Sequence, residues 1–174
     1  MESRNDRKSP VAAICSALGT VLLIILVLAC IPLTIPKLFG YQVYTVVSGS
    51  MEPAIPTGSL VYIKNMEVEG VQPGDVIAFY GGRDSNAMIT HRVVEKHSET
   101  GQFITKGDAN LTEDMNPVEF DNFVGRVELS VPKLGMVARC LTGYEGKIAA
   151  VCMIGLAVIL HLLAGVFSKA SDKK

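Results

Sequence analysis

"YQVYTVVSGSMEPAIPTGSLVYIKN" covers residues 41–65 and contains two apolar runs on either side of an unusual turn. Residues 41–47 are rich in Val, Tyr and Thr, and residues 58–65 alternate in part between apolar and polar side chains. Runs of this kind, bounded by turn residues, predict β-strands. Between them the chain stops at two serines around one glycine and continues as Met-Glu-Pro. The stretch predicts two strands joined by a turn that carries reactive hydroxyl groups.

Short β-rich runs continue along the middle of the chain, and no helical periodicity is expected between residues 38 and 146. A Pro-Gly turn is predicted at 72–75, a mobile loop at 81–86 and an acidic loop at 108–117. The predicted strands are 41–47, 58–65, 76–80, 87–96, 101–107 and 123–131, with the fourth and fifth forming a hairpin. We expect a mainly β domain over residues 38–140, built as a coiled antiparallel β-sheet of Greek-key-like or barrel-like form.

Two stretches without charged residues lie outside this domain, one between Lys8 and Lys37 and one between Lys147 and Lys169. A helix needs roughly 20 apolar residues to cross the hydrocarbon core of a bilayer. Both stretches reach that length, and we predict transmembrane helices at 11–31 and 148–167. A cleaved signal peptide is the alternative for the first stretch. The length of the run and the lack of a clear A-x-A cleavage site favour a retained helix.

Basic residues next to membrane helices tend to remain cytoplasmic. Arg4, Arg7 and Lys8 precede the first helix, while three lysines lie in the last six residues. Residues 38–146 carry 8 Lys and Arg against 14 Asp and Glu. We therefore expect cytoplasmic tails at 1–10 and 168–174, and a β domain that faces the outside or an organelle lumen.

Composition argues against several other classes of protein. The net charge is −1 and no basic face is evident, so no nucleic-acid partner is predicted. Cys15, Cys30, Cys140 and Cys152 do not form a disulfide framework, because three of them fall in or beside the apolar stretches. No zinc motif, EF-hand spacing or phosphate-binding glycine loop is present, and no metal or cofactor is expected.

Ser50 is the candidate nucleophile, because it lies where a strand would end and a bend would begin. Gly49 would permit an unusual bend, and Pro53 would fix the path of the chain after it. The Ser48 hydroxyl and the Ser50 backbone N–H could then stabilise an oxyanion. The alternative is a simple turn whose hydroxyls bond the backbone.

Few residues could activate that serine as a base. His91 lies inside the strand 87–96, His97 lies in a polar hairpin, and His161 lies inside the second apolar stretch. We expect His97 to be solvated and His161 to be packed or interfacial. Lys106 is the other candidate, because a buried lysine whose pKa has fallen can act as a base.

A catalytic histidine also needs an acceptor that fixes its tautomer. Asp108, Glu113 and Asp114 in the acidic loop are candidates, although acidic loops are usually only solvated.

Taken together, these segments resemble type I signal peptidases, in which the serine directly before Met is catalytic. The resemblance covers roughly residues 40–136 and keeps the order of the family's conserved boxes. Its most specific segments are the first and the fourth. The segments are "SGSMEPAIPTG" (48–58), "GDVIAF" (74–79), "THRVVE" (90–95), "TKGDANLTED" (105–114) and "VGRVELSVPKLG" (124–135).

His91 occupies the position of the lysine base in the common bacterial form, which matches the endoplasmic-reticulum-type or SipW-like branch. The resemblance implies a Ser50–His91 pair, with Asp114 orienting the histidine and Asp108 in support. It also implies Ser48 and the Ser50 amide as oxyanion donors and a signal-peptidase/LexA-like fold. Lys106 becomes a residue of the box rather than the base.

The implied activity is the removal of signal peptides from secretory preproteins after small residues, by a serine endopeptidase in the lipid bilayer. A second helix near the C-terminus favours a Gram-positive plasma membrane, with archaeal and endoplasmic-reticulum membranes as alternatives. We also expect Met51, Ala54 and Ile55 to lie against lipid. Two rivals remain: a self-cleaving repressor protease on the same fold, and a non-catalytic anchored module. Membrane partners and the choice of preproteins are left open.

Overall fold

A computed structural model of the chain describes residues 10–81 and 87–171. Residues 1–9 of the first predicted tail, residues 172–174 of the second, and all but the first residue of the loop predicted at 81–86 lie outside that range. The α-helices are α1 (Pro10–Leu38), α2 (Leu134–Thr142) and α3 (Tyr144–Ser171). The strands are β1 (Tyr41–Thr45), β2 (Leu60–Lys64), β3 (Val76–Tyr80), β4 (Met88–His97), β5 (Gln102–Lys106), β6 (Val118–Glu119) and β7 (Phe123–Val131).

The strands form one curled antiparallel sheet in the order β1-β2-β7-β3-β4-β5-β6. The long strand β7 pairs with β2 on one side and with β3 on the other. Each of these pairings shifts register once, between Tyr62 and Ile63 and between Ala78 and Phe79. Such irregularities increase twist and bend a strand, which helps the sheet to curl. The prediction of a mainly β, coiled antiparallel sheet is confirmed.

All six predicted strands are present, but the expectation that helices are absent between residues 38 and 146 is wrong. Helix α2 and two 3-10 helices, Val68–Gly70 and Phe120–Asn122, occur there. A nine-residue helix is marginal alone and is stabilised mainly by packing. Ala138 of α2 is buried with Leu60 and Tyr62 of β2, and this contact is not visible in local periodicity.

Two buried clusters support the region that carries the candidate site. Ile77, Phe79, Val93 and Phe103 belong to one cluster, and the rings of Phe103 and Phe120 are centred 4.6 Å apart. Met51, Ile55, Val61, Ile63 and Ala78 form the other. The expectation that Met51 and Ile55 lie against lipid is therefore wrong, because both side chains are buried in the core of the β domain. Ala54 is exposed, and for this residue the expectation stays a prediction.

Residues 33–140 form one compact unit, while the helical segments on either side of it in the sequence form another. Helix α1 has 29 residues and a mean hydropathy of 2.9, and the segment Tyr144–Ala170 of α3 has 27 residues and a mean hydropathy of 2.5. By length and composition, both helices could cross a membrane.

The sequence predicted that the first helix ends at residue 31, but the helix extends further. Helix α1 continues through Pro32 and Pro36 to Leu38. A proline interrupts one helical hydrogen bond, but a membrane-type helix can tolerate this. Leu33, after Pro32, packs against Leu60 and Tyr62, so tertiary contacts favour the continued helix.

In the helical unit, His161 of α3 lies against Gly19 and Thr20 of α1. The Nδ1 atom of His161 is 2.8 Å from the carbonyl oxygen of Ala157, and Nε2 is 3.4 Å from Thr20 Oγ1. A Cβ on Gly19 would lie only 2.4 Å from the His161 ring, so the glycine permits this close approach. His161 is thus the packed histidine that the sequence indicated.

Candidate active site

Ser50 lies in a closed loop between β1 and β2. The Val46 amide donates to the carbonyl of Ser59, and the Gly58 amide donates to the carbonyl of Val46, each over 2.9 Å. Directly after Ser50, Met51 is 2% exposed and packs in the core with Ile55. The buried methionine therefore anchors the loop while leaving the neighbouring serine at its surface.

The turn itself differs from the expected one at Gly49. Its φ is not in the left-handed region, so an unusual backbone angle is not the reason for this glycine. The Glu52 amide donates to the Gly49 carbonyl over 3.0 Å, and the Glu52–Pro53 peptide is cis. Glu52 Oε1 in turn accepts hydrogen bonds from the Thr57 amide and hydroxyl.

The backbone of Ser50 is fixed to the loop that follows β5. Its carbonyl accepts a 2.9 Å hydrogen bond from the Ala109 amide. A Cβ added to Gly107 would lie 2.6 Å from that same carbonyl oxygen. Real Cβ atoms do not approach a backbone oxygen so closely, so the contact between the two loops requires glycine at 107. Two segments that are distant in sequence are thereby held together at the candidate nucleophile.

His91 and Asp114 form a close pair in the same region. His91 Nδ1 lies 2.6 Å from Asp114 Oδ2, and the two side chains are 11% and 22% exposed. The Thr105 hydroxyl donates to the same carboxylate oxygen over 2.6 Å, and the Asp114 amide donates to the Thr105 carbonyl over 2.8 Å. Thr105 thus holds Asp114 by both its side chain and its backbone.

The register of the sheet separates His91 from Lys106. Val93 pairs with Thr105, and Arg92 pairs with Lys106. Because side chains alternate between the faces of a strand, His91 and Thr105 share one face while Arg92 and Lys106 share the other. The burial pattern agrees, since His91, Val93 and Thr105 are buried and Lys106 is only partly buried.

Asp108 is paired with Arg92 rather than with His91. Arg92 Nε donates to Asp108 Oδ1 over 2.8 Å, and Nη2 donates to Oδ2 over 2.6 Å. The third nitrogen, Nη1, donates to the Gly74 carbonyl over 2.8 Å. The hydrogen bond to Asp108 raises the pKa of Arg92 above its ordinary value, against a smaller opposing effect of burial. This pair joins β4 to both the 72–75 turn and the Gly107–Ala109 segment.

Ser48 and Ser50 lie side by side, with their hydroxyl oxygens 3.4 Å apart. Together with Thr90, the residue before His91, they line a cavity of about 140 Å³. Within residues 10–81 and 87–171, no hydrogen bond joins the Ser50 hydroxyl to His91. In unliganded enzymes such bonds are often long and tighten only when substrate is bound.

The remaining candidates lie elsewhere. His97 is 46% exposed and contacts Glu95 over 2.9 Å, as expected for a solvated hairpin residue. Glu113 is exposed. No group of three or more His, Cys, Asp or Glu side chains that could hold a metal ion occurs in the part of the chain that the structure describes.

Comparison with known proteins identifies the family to which this site belongs. A family model described as "Signal peptidase, peptidase S26" matches residues 17–129, well over half of the chain. The chain belongs to the signal peptidase family. The family prediction made from the sequence boxes is confirmed.

Several curated signal peptidases are similar to the chain. "Signal peptidase I W" of Bacillus subtilis is 44% identical over 90 residues, which cover 50% of this chain and 46% of that protein. "Signal peptidase complex catalytic subunit SEC11C" of Rattus norvegicus is 34% identical over 130 residues, covering 68% and 67%. The SEC11 subunit of Fusarium vanettenii is 32% identical over 130 residues, covering 68% and 75%. The match thus spans about half of the Bacillus relative and about two thirds of the rat one.

Three groups at the site were not predicted from the sequence: the Thr105 hydroxyl, the Arg92 guanidinium and the Ala109 amide. Thr105 and Arg92 were within the quoted boxes but were given no role. The alternating pattern of β5 could have indicated that Thr105 is buried. No sequence pattern indicates that the Ala109 amide meets the Ser50 carbonyl.

Proposed function

We propose that this chain is a membrane-bound serine endopeptidase that removes signal peptides from exported preproteins, with Ser50 as nucleophile and His91 as base. The observation that carries the proposal is the 2.6 Å contact between His91 Nδ1 and Asp114 Oδ2, beside a serine fastened to the same loop. Family membership and the similar signal peptidases support the activity.

Asp114 prepares His91 for its task as base. When Nδ1–H donates to the carboxylate, the neutral ring keeps its lone pair on Nε2. Nε2 can then accept the Ser50 proton, and Asp114 stabilises the imidazolium that forms. A substrate that excludes water would shorten the Ser50–His91 approach.

Cleavage then proceeds in two steps through an acyl-enzyme. Ser50 Oγ attacks the scissile carbonyl, and the Ser48 hydroxyl and Ser50 N–H stabilise the oxyanion. His91 returns the proton to the leaving amine, which carries away the mature protein. His91 next takes a proton from water, whose oxygen attacks the acyl carbon and releases the signal peptide from Ser50.

The cavity of about 140 Å³ beside the two serines supports the binding of a side chain that precedes the cut. Its apolar walls include Val46, Ile63 and Ile89. The preference for small residues is what the resemblance to the family implies.

The two apolar helices support attachment to a bilayer, where signal peptides are also found. We propose that α1 and α3 span the membrane with both chain ends in the cytoplasm and the β domain on the other side. The similarity to the Bacillus protein agrees with a Gram-positive plasma membrane, and the similarity to the rat and Fusarium subunits keeps the endoplasmic-reticulum alternative open. An archaeal membrane is a further alternative.

The test is cleavage of a model preprotein by the full-length chain in liposomes. Ser50→Ala and His91→Ala should each lower kcat by at least about 10³-fold, because each removes a group that acts in bond formation. Ser98→Ala and His97→Ala change the same residue types in an exposed hairpin and should cut normally.

Cleavage by Ser50→Ala at the wild-type rate would overturn the proposal. In that case the anchored-module alternative can be examined by overexpression with a reporter preprotein, since a binder would slow its maturation and an enzyme would speed it.

A further inference from the structure

The first turn of α2 covers the base of the loop that carries Ser50. Gly135 is buried in this turn. A Cβ added to Gly135 would lie 2.5 Å from the carbonyl oxygen of Ser59 and 2.7 Å from that of Gly58. Real Cβ atoms do not approach backbone oxygens so closely, so the contact requires glycine. The Thr45 hydroxyl also donates to the Gly135 carbonyl over 3.4 Å.

Met136 lies over the same part of the loop. Gly58 has a φ of +82°, which is a conformation that favours glycine. The three atoms nearest to a Cβ built on Gly58 all belong to the Met136 side chain, and its Cε would be only 2.7 Å away. Two successive residues of α2 therefore contact Gly58 and Ser59, at the point where the loop closes.

Contacts with β2 hold this turn of α2 in place. Leu134 and Ala138 belong to the same apolar cluster as Leu60, which follows Ser59 directly. Lys133, the residue before α2, has a φ of +64°. A residue other than glycine adopts such an angle at a cost, and keeps it where the surrounding contacts require it. The packing of α2 against β2 and the loop supplies such contacts.

We propose that Gly135 and Met136 are positioning residues for Ser50. They act through the closed end of its loop and not through the substrate. The inference rests on the proposed function, because it takes Ser50 as the nucleophile. It gives that serine a second support, separate from the hydrogen bond between its carbonyl and the Ala109 amide.

Two backbone hydrogen bonds connect the covered end of the loop to the serine. The Val46 amide donates to the Ser59 carbonyl and the Gly58 amide donates to the Val46 carbonyl, each over 2.9 Å. Both bonds use Val46, and only three residues separate it from Ser50. A shift of the first turn of α2 would therefore displace the serine. Because a misplacement of about 1 Å can cost on the order of 10²-fold in rate, we expect an effect on kcat rather than on KM.

The first experiment is preprotein cleavage in liposomes by the full-length Gly135→Ala variant. We expect kcat to fall roughly ten- to a hundredfold with little change in KM, because the new Cβ must displace the carbonyls at the base of the loop. Val71→Ala is the control. Val71 is buried in the cluster that contains no residue of α2 or of the 46–59 loop, so this variant should be less stable but keep the wild-type kcat. If both variants lose kcat in proportion to their loss of thermal stability, Gly135 only packs and the proposal is wrong.

The second experiment removes a side chain instead of adding one. Met136→Ala should lower kcat by about two- to tenfold, and Met136→Leu should restore most of it, because leucine can also cover Gly58. Val137→Ala changes the next residue of α2, which is exposed to a similar extent, and should cleave at the wild-type rate. Equal rates for Met136→Ala and Val137→Ala would overturn the role of Met136.

Hydrogen exchange supplies a measurement that does not depend on activity. In Gly135→Ala the Val46 and Gly58 amides should exchange faster, by about tenfold or more, because the bonds that close the loop are weakened. The Gly101 amide donates to the His97 carbonyl in the β4–β5 turn and should exchange as in the wild type. Unchanged exchange at Val46 and Gly58 would show that α2 does not hold the loop.

The two proposals fail in different ways. If the wild type cuts no preprotein, the proposed function fails and the positioning role fails with it, even where exchange shows that α2 holds the loop. If the wild type cuts and Ser50→Ala does not, but Gly135→Ala keeps the wild-type kcat, the function stands and only the positioning role fails.

Discussion

Asp114 presents one carboxylate oxygen to Nδ1 of His91 over 2.6 Å, whereas Asp108, six residues earlier, binds Arg92. The two acidic residues of the loop therefore have separate partners on successive residues of β4. The sequence offered both as candidates to orient His91, and the side-chain contacts support the preference for Asp114.

Replacing Asp114 with Asn should lower kcat by on the order of 10³–10⁴-fold with little change in KM. The amide lacks the charge that stabilises an imidazolium, and its NH₂ group favours the wrong tautomer of His91. Steady-state cleavage of the model preprotein measures both constants. Asp121→Asn, at an exposed position, is the matched control. A loss of less than about tenfold would show that Asp114 is not the orienting group.

Thr105→Val should reduce kcat, and Thr105→Ser should restore most of it. Valine keeps the shape of the buried side chain but leaves Asp114 Oδ2 without the 2.6 Å hydroxyl contact. A lost hydrogen bond to a charged group costs about 1.5–3 kcal/mol, so a loss of roughly ten- to a hundredfold is expected if the cost falls on the transition state. The dependence of kcat on pH should also change in Thr105→Val, because the Asp114 carboxylate that faces His91 loses one hydrogen bond. If Thr105→Val matches the wild type in both respects, the threonine only packs.

Arg92→Lys should weaken the loop that holds Ser50. Lysine cannot reproduce the two parallel bonds to Asp108 together with the third bond to Gly74. Because the Arg92 side chain is 38% exposed, we expect a loss of only about 1 kcal/mol in the free energy of unfolding, together with a lower kcat. Denaturant-dependent proteolysis in detergent measures the free energy of unfolding, and preprotein cleavage measures kcat. Arg126→Lys alters the pairs with Glu128 and Asp75 but leaves both bonds to Asp108 in place, and it should leave kcat unchanged.

Gly107→Ala should impair catalysis more than stability. Its Cβ would lie 2.6 Å from the Ser50 carbonyl, so the two loops must separate and the serine must move. A displacement of about 1 Å at a reacting group can cost on the order of 10²-fold in rate. Gly70→Ala is the control, since its new Cβ meets only the mobile methyl end of Met66. Equal activity of the two variants would contradict this account of the Ser50–Ala109 contact.

The pH profile should distinguish a histidine base from a lysine base. An isolated histidine loses its proton near pH ~6.5 and an isolated lysine near pH ~10.4. The base must be deprotonated to act, so kcat/KM should rise with pH, and a histidine places this rise far below the lysine range. The measurement is kcat/KM from pH 5 to 10 for the wild type and Lys106→Gln. A rise confined to alkaline pH and lost in Lys106→Gln would assign the base to Lys106 instead.

Local pattern was sufficient to predict most of the elements of this protein. The alternation and the β-branched residues of β3 and β7 predicted both strands with their observed bounds. In each strand the apolar pattern agrees with the contacts that the strand makes in the folded protein. Local pattern failed for α2 and for the end of α1, where Ala138 and Leu33 pack on Leu60 and Tyr62. Such contacts join residues far apart in the chain, and local periodicity does not contain them.

The sequence by itself determined the family, the candidate residues and the two apolar helices, because these depend on residue types and on short spacings. Only the tertiary structure decided which partners those residues have. It buried Met51, assigned Asp114 to His91 and Asp108 to Arg92, and brought the Ala109 amide to Ser50. Each of these outcomes depends on sheet register and on loop-to-loop hydrogen bonds. Those bonds form only when the whole sheet has curled, which is the physical reason why no short stretch of the sequence could predict them.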